Sequence, residues 1–168
     1  GSAALFFGAL PEHAILGDSN EELINYYRVL SCDPDGLVPR LMLLQASKNR
    51  CYEFRSASPI GRTERAIRFA YLSRLSWNGV YRVNRKGEFN VTIGDRLPKT
   101  LWERDHLNQC ARLLKNTELV HGDFEGTAMQ ARRGDLVYFD PPYPKQQTSW
   151  TTFNRYSKSP FNASELSR

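Results

Sequence analysis

The run Asp-Pro-Pro-Tyr at positions 140–143 constrains this chain most, because it directly follows the apolar residues 136–139. A short apolar run bounded by turn residues predicts a buried strand, and two consecutive prolines predict that it ends in a rigid turn. In open α/β sheets, ligands bind just beyond the carboxyl ends of the strands. The sequence therefore predicts an α/β fold with a binding site at residues 140–143.

The side chains of this run suit one chemical group, a planar amine attached to a ring. Asp140 and the carbonyl oxygen of Pro141 can each accept one hydrogen bond from such an amine, and Tyr143 can stack on the ring. Pro141 and Pro142 have no backbone N–H, so their carbonyls are left to accept from another group. The alternative is a strand followed by a proline-rich loop with a surface tyrosine, since four-residue motifs also match by accident.

Length and composition set broad limits. The chain has 168 residues, which fits one domain or one domain with an insert. Its formal net charge of +5 is compatible with a polyanionic partner but does not establish one. The 3 cysteines show neither metal-site spacing nor a disulfide framework, so we expect a reducing compartment such as the cytoplasm. No apolar stretch is long enough to cross a membrane.

Both ends of the sequence suggest an interior part of a longer protein. Residues 1–3 resemble a glycine turn that feeds a helix, and residues 163–168 resemble the start of another helix. The predicted strands are also too few for a complete sheet.

Hydrophobic periodicity and turn signals predict a mixed helix and strand chain. We expect helices at 3–10, 20–30, 37–48, 63–76 and 101–115, with Ser19 or Asn20 capping the second. We expect strands at 13–18, 81–84, 88–91, 118–121 and 136–139, a turn at 33–36 and a loop at 56–61. Strands near both ends with a mostly helical middle predict an α/β sheet interrupted by an insert.

Three aspartates follow predicted strands. Asp18, Asp123 and Asp140 should lie along one sheet edge, where acidic residues commonly accept hydrogen bonds from ribose hydroxyls. The turn at Gly1 and its helix can approach a cofactor closely, and Phe124 can form an aromatic wall beside an adenine ring. Taken singly, each aspartate is more typical of a helix cap or a turn.

The segment 75–94 combines residue types that recognise DNA. Its aromatic, amide and cationic side chains are Trp77, Tyr81 and Phe89, then Asn78, Asn84 and Asn90, then Arg82, Arg85 and Lys86. Arginine pairs with guanine and asparagine with adenine, an aromatic ring can fill the gap left by an extruded base, and cations at a hairpin tip meet phosphates. The alternative is an exposed hairpin whose aromatics pack on the core.

Together these residues resemble the D12 class of N6-adenine DNA methyltransferases, the Dam-like group with the alpha order of motifs. Residues 1–3 resemble the end of its Phe-x-Gly-x-Gly motif, and residues 18–20 its Asp-x-Asn motif. Residues 77–84 and 87–91 are similar to its recognition hairpin. The aromatic residues after the Asp-Pro-Pro-Tyr run also match in spacing; they are Phe153, Tyr156 and Phe161. Ala3 departs from a frequent glycine and Thr92 from a usual proline.

The resemblance implies a Rossmann-like, S-adenosylmethionine-dependent methyltransferase sheet, here incomplete, with an inserted helical and β-hairpin target-recognition region. Residues 1–35 and 102–168 would form the catalytic domain, and residues 36–101 the recognition region. The implied reaction is site-specific methylation of adenine N6 in double-stranded DNA of a bacterial or phage system, without a metal. An inactive DNA-binding module of the same fold, or a methyltransferase acting on RNA or on a small aromatic amine, stays possible.

The resemblance also implies roles for individual residues. The implied catalytic residues are Asp140, Pro141, Pro142 and Tyr143. The implied cofactor-binding residues are Gly1, Asp18, Asn20, Asp123, Phe124 and Asp140. The implied DNA-binding residues are Trp77, Asn78, Val80, Arg82, Asn84, Arg85, Lys86 and Asn90. Among these, Trp77 would enter the duplex, Asn78 would lie beside the flipped base, and Arg82 would contact guanine.

Overall fold

The computed structural model describes residues 2–140. Gly1 and residues 141–168 lie outside the described residues, and so do the predictions for Gly1, Pro141, Pro142 and Tyr143. The described helices are α1 (Ala4–Ala9), α2 (Glu21–Cys32), α3 (Pro34–Met42), α4 (Lys48–Ser56), α5 (Arg62–Leu75), α6 (Arg104–Leu114) and α7 (Phe124–Ala128). A 3-10 turn, η1, covers Trp77–Gly79, and the strands are β1 (Ala14–Asp18) and β2 (Thr117–His121).

The two strands form a small parallel sheet. Ala14 lies opposite Thr117 and Asp18 lies opposite His121, so both strands end at the same edge. A parallel pair needs a crossover connection, which here runs through helices α2 to α6. The expected mixture of helices and parallel strands is confirmed as far as this sheet extends.

Helix α2 begins at a capped N-terminus directly after β1. The Asn20 side chain accepts hydrogen bonds from the backbone N–H groups of Glu22 (3.1 Å) and Leu23 (3.4 Å). These bonds satisfy donors that the first helical turn leaves unpaired, and Glu21 and Glu22 lie where the helix dipole favours negative charge. Asn20 is therefore the cap that the sequence predicted as one of two candidates.

Helix α5 is attached to α2 by polar contacts as well as by packing. The buried Asn25 side chain donates to the Arg62 carbonyl (2.9 Å), and Arg65 donates to the carboxylates of Glu22 (2.8 Å) and Glu21 (2.7 Å). The hydrogen bonds to Glu22, and then to Glu21, raise the pKa of the Arg65 guanidinium above its already high ordinary value. The helix that leads into the segment 75–94 is thus fixed to the helix that follows β1.

Two hydrophobic clusters form the core of the described chain. The first joins α2, α3, α5 and α6, and its most enclosed members are Leu30, Leu37, Leu41, Ala66 and Leu114. The second joins α4 and the end of α5 to the loops around residue 90, with Tyr71, Leu72, Leu75, Phe89 and Leu101 buried. Among the described residues, no helix is long and apolar enough to cross a bilayer.

The predicted turn at 33–36 is wrong, because these residues begin helix α3. The Asp33 side chain accepts from the Gly36 N–H (2.9 Å), and Pro34 occupies the first helical position. Aspartate followed by proline is typical both of turns and of helix starts, and the packing of Leu37 and Leu41 selects the helix. The helix also ends at Met42 rather than at Lys48.

Two helices were not predicted. Helix α4 buries only Cys51, so its sequence carries little of the apolar periodicity that identifies a helix. The Ser47 side chain accepts from the Arg50 N–H (3.3 Å), and this cap was the one local signal available. Helix α7 has 5 residues and begins directly after Asp123.

Three predicted strands are absent as regular strands. Residues 136–139 lie in an exposed extended loop rather than in a buried strand, and Leu136 is 84% exposed. An apolar run alone does not supply the neighbouring strand that it needs for pairing. Residues 81–84 and 88–91 form one isolated antiparallel bridge, between Val83 and Phe89, instead of two continuous strands.

Candidate cofactor and DNA-recognition sites

The carboxyl ends of β1 and β2 bring two of the predicted cofactor residues to one edge. The Gly122 N–H donates to the Asp18 carbonyl oxygen (3.2 Å), and Asp123 follows directly. Asp18 is half-buried and Asp123 is exposed, so neither lies in the core. The parallel register therefore places these aspartates at the same edge of the sheet, as the strand-end pattern indicated.

Each of these carboxylates also has a local structural role. Asp18 Oδ1 accepts from the Asn20 N–H (2.7 Å), and Asp123 Oδ1 accepts from the Glu125 N–H (3.1 Å). The first bond orients the chain into α2, and the second caps α7. A carboxylate accepts hydrogen bonds at both of its oxygens, so a capping role is compatible with ligand binding.

The residue before Asp140 contacts helix α7, which begins directly after Asp123. The rings of Phe139 and Phe124 pack edge to face, with centroids 5.9 Å apart and an interplanar angle of 89°. Asp140 itself is exposed. The segment that leads into the Asp-Pro-Pro-Tyr run therefore contacts the first residue of α7, although residues 136–139 form no strand.

A cavity of about 620 Å³ lies elsewhere on the sheet. Its lining includes Ile15 and Glu118 from the strands together with Met129, Arg132 and Asp135. None of the predicted cofactor residues belongs to its lining. Within the described residues, no group of three or more metal-ligating side chains is arranged to hold a metal ion.

The start of the predicted recognition segment presents an aromatic side chain to solvent. Trp77 is 44% exposed, and its backbone N–H donates to the Thr92 carbonyl (3.0 Å). Asn78 adopts a left-handed conformation with φ of 53°, which non-glycine residues seldom adopt. The tight turn η1 thus holds Trp77 at the surface.

The tip of the segment is organised by Asn84. Asn84 Oδ1 accepts from the backbone N–H groups of Lys86 (2.9 Å) and Glu88 (3.0 Å), and Asn84 Nδ2 donates to Glu88 Oε2 (2.8 Å). Gly87 provides the positive φ of 81° that closes the turn. Arg85 and Lys86 are exposed at this tip, whereas Asn84 forms the turn itself.

Comparison with known proteins identifies the family to which this chain belongs. The model of the D12 class N6 adenine-specific DNA methyltransferase family matches residues 1–167. The chain belongs to this family. It is 36% identical to the type II methyltransferase M1.LlaDCHI of Lactococcus lactis subsp. cremoris over 96% of its own length and 60% of that protein.

Two further relatives are similar over most of this D12-family chain. The type II methyltransferase M.MjaIII of Methanocaldococcus jannaschii is 33% identical, with 96% of this chain and 62% of that protein covered. The DNA adenine methylase of Haemophilus influenzae is 31% identical, with 98% of this chain and 59% of that protein covered. The chain thus spans about three-fifths of the length of these curated relatives.

In this D12-family chain, two aromatic side chains of segment 75–94 pack against the hydrophobic core. Phe89 is 3% exposed, and the Tyr81 ring lies 4.6 Å from the Phe69 ring and 5.2 Å from the Phe89 ring. Burial raises the pKa of the Tyr81 hydroxyl, which accepts a hydrogen bond from Arg68 (3.2 Å). Val80 is half-buried against the same cluster.

Two arginines that hold segment 75–94 carry no signal in the sequence for this role. Arg55 of α4 donates to the carbonyls of Phe89 and Val91, and Arg68 of α5 contacts Tyr81. Because α4 was not predicted, nothing placed Arg55 near residue 90. A cation on an unpredicted helix has no sequence signal for a partner 34 residues away.

Proposed function

We propose that the protein is a site-specific DNA adenine N6-methyltransferase that uses S-adenosylmethionine. Family membership supports the chemistry, since the family model is described as N6 adenine-specific and a relative is named DNA adenine methylase. The observation that carries the proposal is the convergence at one sheet edge. Asp18 and Asp123 lie there together, and the Phe139–Phe124 contact brings the residue before Asp140 beside them.

The residues at this edge fit the cofactor that the family implies. We assign ribose binding to Asp18 and Asn20, since carboxylates at strand ends accept hydrogen bonds from ribose hydroxyls. We assign the sides of the adenine pocket to Asp123 and Phe124. Gly1 and Asp140 are the remaining residues that we assign to cofactor binding. When bound, S-adenosylmethionine supplies an electrophilic methyl group on a positively charged sulfur.

Asp140 and the Pro141 carbonyl act on the target amine. The lone pair of adenine N6 is delocalised into the ring, so the amine is a poor nucleophile. Two hydrogen bonds donated by the amine to these oxygens localise the lone pair and stabilise the positive charge that develops on nitrogen. Pro142 keeps the turn rigid, Tyr143 stacks on the extruded base, and alignment of the amine with the methyl group supplies much of the rate.

The inserted region supplies DNA recognition. We assign it to residues 36–101, with catalytic residues in 1–35 and 102–168. Exposed Trp77 fits insertion into the duplex, and Arg85 and Lys86 at the turn tip fit phosphate contacts. The remaining residues assigned to DNA are Asn78, Val80, Arg82, Asn84 and Asn90.

The catalytic assignment is tested by Asp140→Ala in the full-length protein, because this change removes one of the two acceptors for the amine. We expect methyl transfer from radiolabelled S-adenosylmethionine to duplex DNA to fall by at least about a hundredfold. Cofactor affinity, measured by equilibrium dialysis, should change much less. The matched control is Asp135→Ala, which removes an exposed carboxylate from the same segment. This carboxylate accepts a hydrogen bond from the Arg132 N–H (2.8 Å).

Normal turnover in Asp140→Ala, or an equal loss in Asp135→Ala, would contradict the assignment. The same transfer assay run with duplex RNA tests the substrate. Faster transfer to RNA than to DNA would replace the proposed substrate.

A further inference from the structure

Arg55 holds the backbone on either side of Asn90. Its Nε donates to the Phe89 carbonyl (3.1 Å) and its Nη2 donates to the Val91 carbonyl (2.6 Å). The guanidinium carbon also lies 5.6 Å from the centre of the Phe89 ring. One planar side chain on α4 therefore fixes three consecutive residues of the recognition segment.

Asn90 in turn is linked twice to Arg82. The Asn90 N–H donates to the Arg82 carbonyl (3.1 Å), and Arg82 Nε donates to Asn90 Oδ1 (3.0 Å). In extended backbone, successive residues direct their N–H and C=O groups to opposite sides, so the carbonyls of Phe89 and Val91 face away from the Asn90 N–H that bonds the Arg82 carbonyl. Arg55 thus bonds one side of the backbone at residues 89–91, and Arg82 bonds Asn90 on the other side.

Arg55 is itself fixed from a second helix, α5. Arg68 of α5 donates to the carbonyls of Phe54 (2.8 Å) and Arg55 (3.2 Å) at the end of α4. The same guanidinium donates to the Tyr81 hydroxyl (3.2 Å), next to Arg82 in the chain. A continuous set of hydrogen bonds therefore runs from α5 through Arg55 to both flanks of Asn90 and on to Arg82.

We propose that Arg55 is a positioning residue for the readout of DNA sequence. Base recognition by a side-chain fork depends on its angle as well as its distance, so a supported Arg82 discriminates between base pairs better than a loosely held one. A lysine keeps the charge but is a point donor without the planar fork that bridges two carbonyls. The inference rests on the proposed function, and it adds a residue that does not touch DNA.

The test compares Arg55→Lys with the wild type in the full-length protein. Each variant methylates unmethylated plasmid DNA, and single-molecule sequencing reads N6-methyladenine in every sequence context. We expect the preference for the favoured context over contexts that differ by one base pair to fall by about tenfold. Arg82→Ala, which removes the assigned guanine contact, should produce a loss of the same kind.

Two controls separate positioning from general stabilisation. Arg40→Lys makes the same exchange at an arginine whose side chain, among the described residues, bonds only Glu64 (3.0 Å) in a half-exposed pair, and it should leave the preference unchanged. Leu114→Ala destabilises the first core cluster and should lower the amount of active enzyme without changing the preference. The ratio between contexts is measured within one sample, so it does not depend on how much of a variant folds.

Hydrogen exchange of the backbone amides in 82–92 provides a readout without DNA. Exchange there should increase in Arg55→Lys and stay at the wild-type level in Arg40→Lys. If Arg55→Lys does not accumulate, Arg55→Gln replaces it. An unchanged context preference with unchanged exchange overturns the inference while the proposed function stands; a wild type that methylates no adenine overturns the proposed function and the inference with it.

Discussion

Replacing Gly17 by alanine should move helix α7 and destabilise the protein. Gly17 lies in β1 beside Thr127 of α7, and an added Cβ would stand 3.1 Å from Thr127 Cβ and 3.2 Å from Thr127 Cγ2. Thr127 Oγ1 would lie closer still. Because threonine is branched at Cβ and sits in a helix, it has few rotamers in which to yield, so the helix itself must shift.

The sign of the effect is what makes this prediction informative. Glycine in a strand or helix interior costs roughly 0.5 to 1 kcal/mol relative to alanine, so without the contact Gly17→Ala would stabilise the protein. Inserting a methyl group into a filled contact costs about 1 to 3 kcal/mol. We therefore expect a net loss of about 1 to 2 kcal/mol in the free energy of unfolding. Helix α7 begins with Phe124 and is capped by Asp123, the two residues proposed above to line the adenine pocket, so affinity for the proposed cofactor S-adenosylmethionine should fall as well.

Urea unfolding of the full-length protein measures the first effect, and a Thr127→Ala background identifies its cause. Thr127 Oγ1 is buried and has no hydrogen-bond partner within residues 2–140, so Thr127→Ala alone should change stability by less than about 1 kcal/mol. Adding Gly17→Ala to it should then cost little, which gives a coupling energy of about 1 to 2 kcal/mol. Gly126→Ala is the matched control, because in the described part of the chain an added Cβ at this position of the same helix meets no atom within 4 Å beyond the adjacent residues and the helix's own backbone.

The reasoning is refuted if Gly17→Ala stabilises the protein as Gly126→Ala should. It is also refuted if the loss persists unchanged in the Thr127→Ala background, because the cause would then lie outside this contact.

Two further predictions follow from burial. Burial raises the pKa of the Cys51 and Cys110 thiols while Cys32 is exposed, so a thiol reagent near neutral pH should modify Cys32 first, as peptide mass spectrometry would detect; faster labelling of Cys51 would contradict this. Burial, and then the neighbouring Tyr26 and Asp18, raise the pKa of the Tyr27 hydroxyl above its ordinary value of 10.0. Tyr27 therefore ionises at a lower pH in the unfolded state than in the folded state. The urea midpoint of unfolding should stay constant up to about pH 10 and fall above it, and a midpoint that rises above pH 10 would contradict this prediction.

Local signals in the sequence were sufficient wherever one residue sets the structure by itself. Asn20 caps α2 as expected, the strands ending at Asp18 and His121 were located, and the glycine at the turn tip takes the positive φ that the turn requires. Capping and turn chemistry act over a few residues, so their result can be deduced without knowing the rest of the fold.

Burial was where local signals gave incomplete answers. Residues 136–139 are as apolar as a buried strand, yet they are exposed, since burial depends on a neighbour that the run does not encode. The reverse holds for α4, where a polar sequence forms a helix because Cys51 packs and the Arg55 side chain finds distant carbonyls. Because helix α4 could not be predicted from its sequence, the contact of Arg55 with the Phe89 carbonyl could not be predicted either.

The sequence by itself determined the family, because the functional groups of the motif residues can be recognised at short spacing. The tertiary structure alone decided which of those groups stand together. Parallel pairing brings Asp18 and Asp123 to one edge across helices α2 to α6, and helix packing sets Arg55 against both sides of Asn90. Such arrangements arise from contacts between residues far apart in the chain, where hydrogen bonding and packing are satisfied jointly and no local pattern specifies the partner.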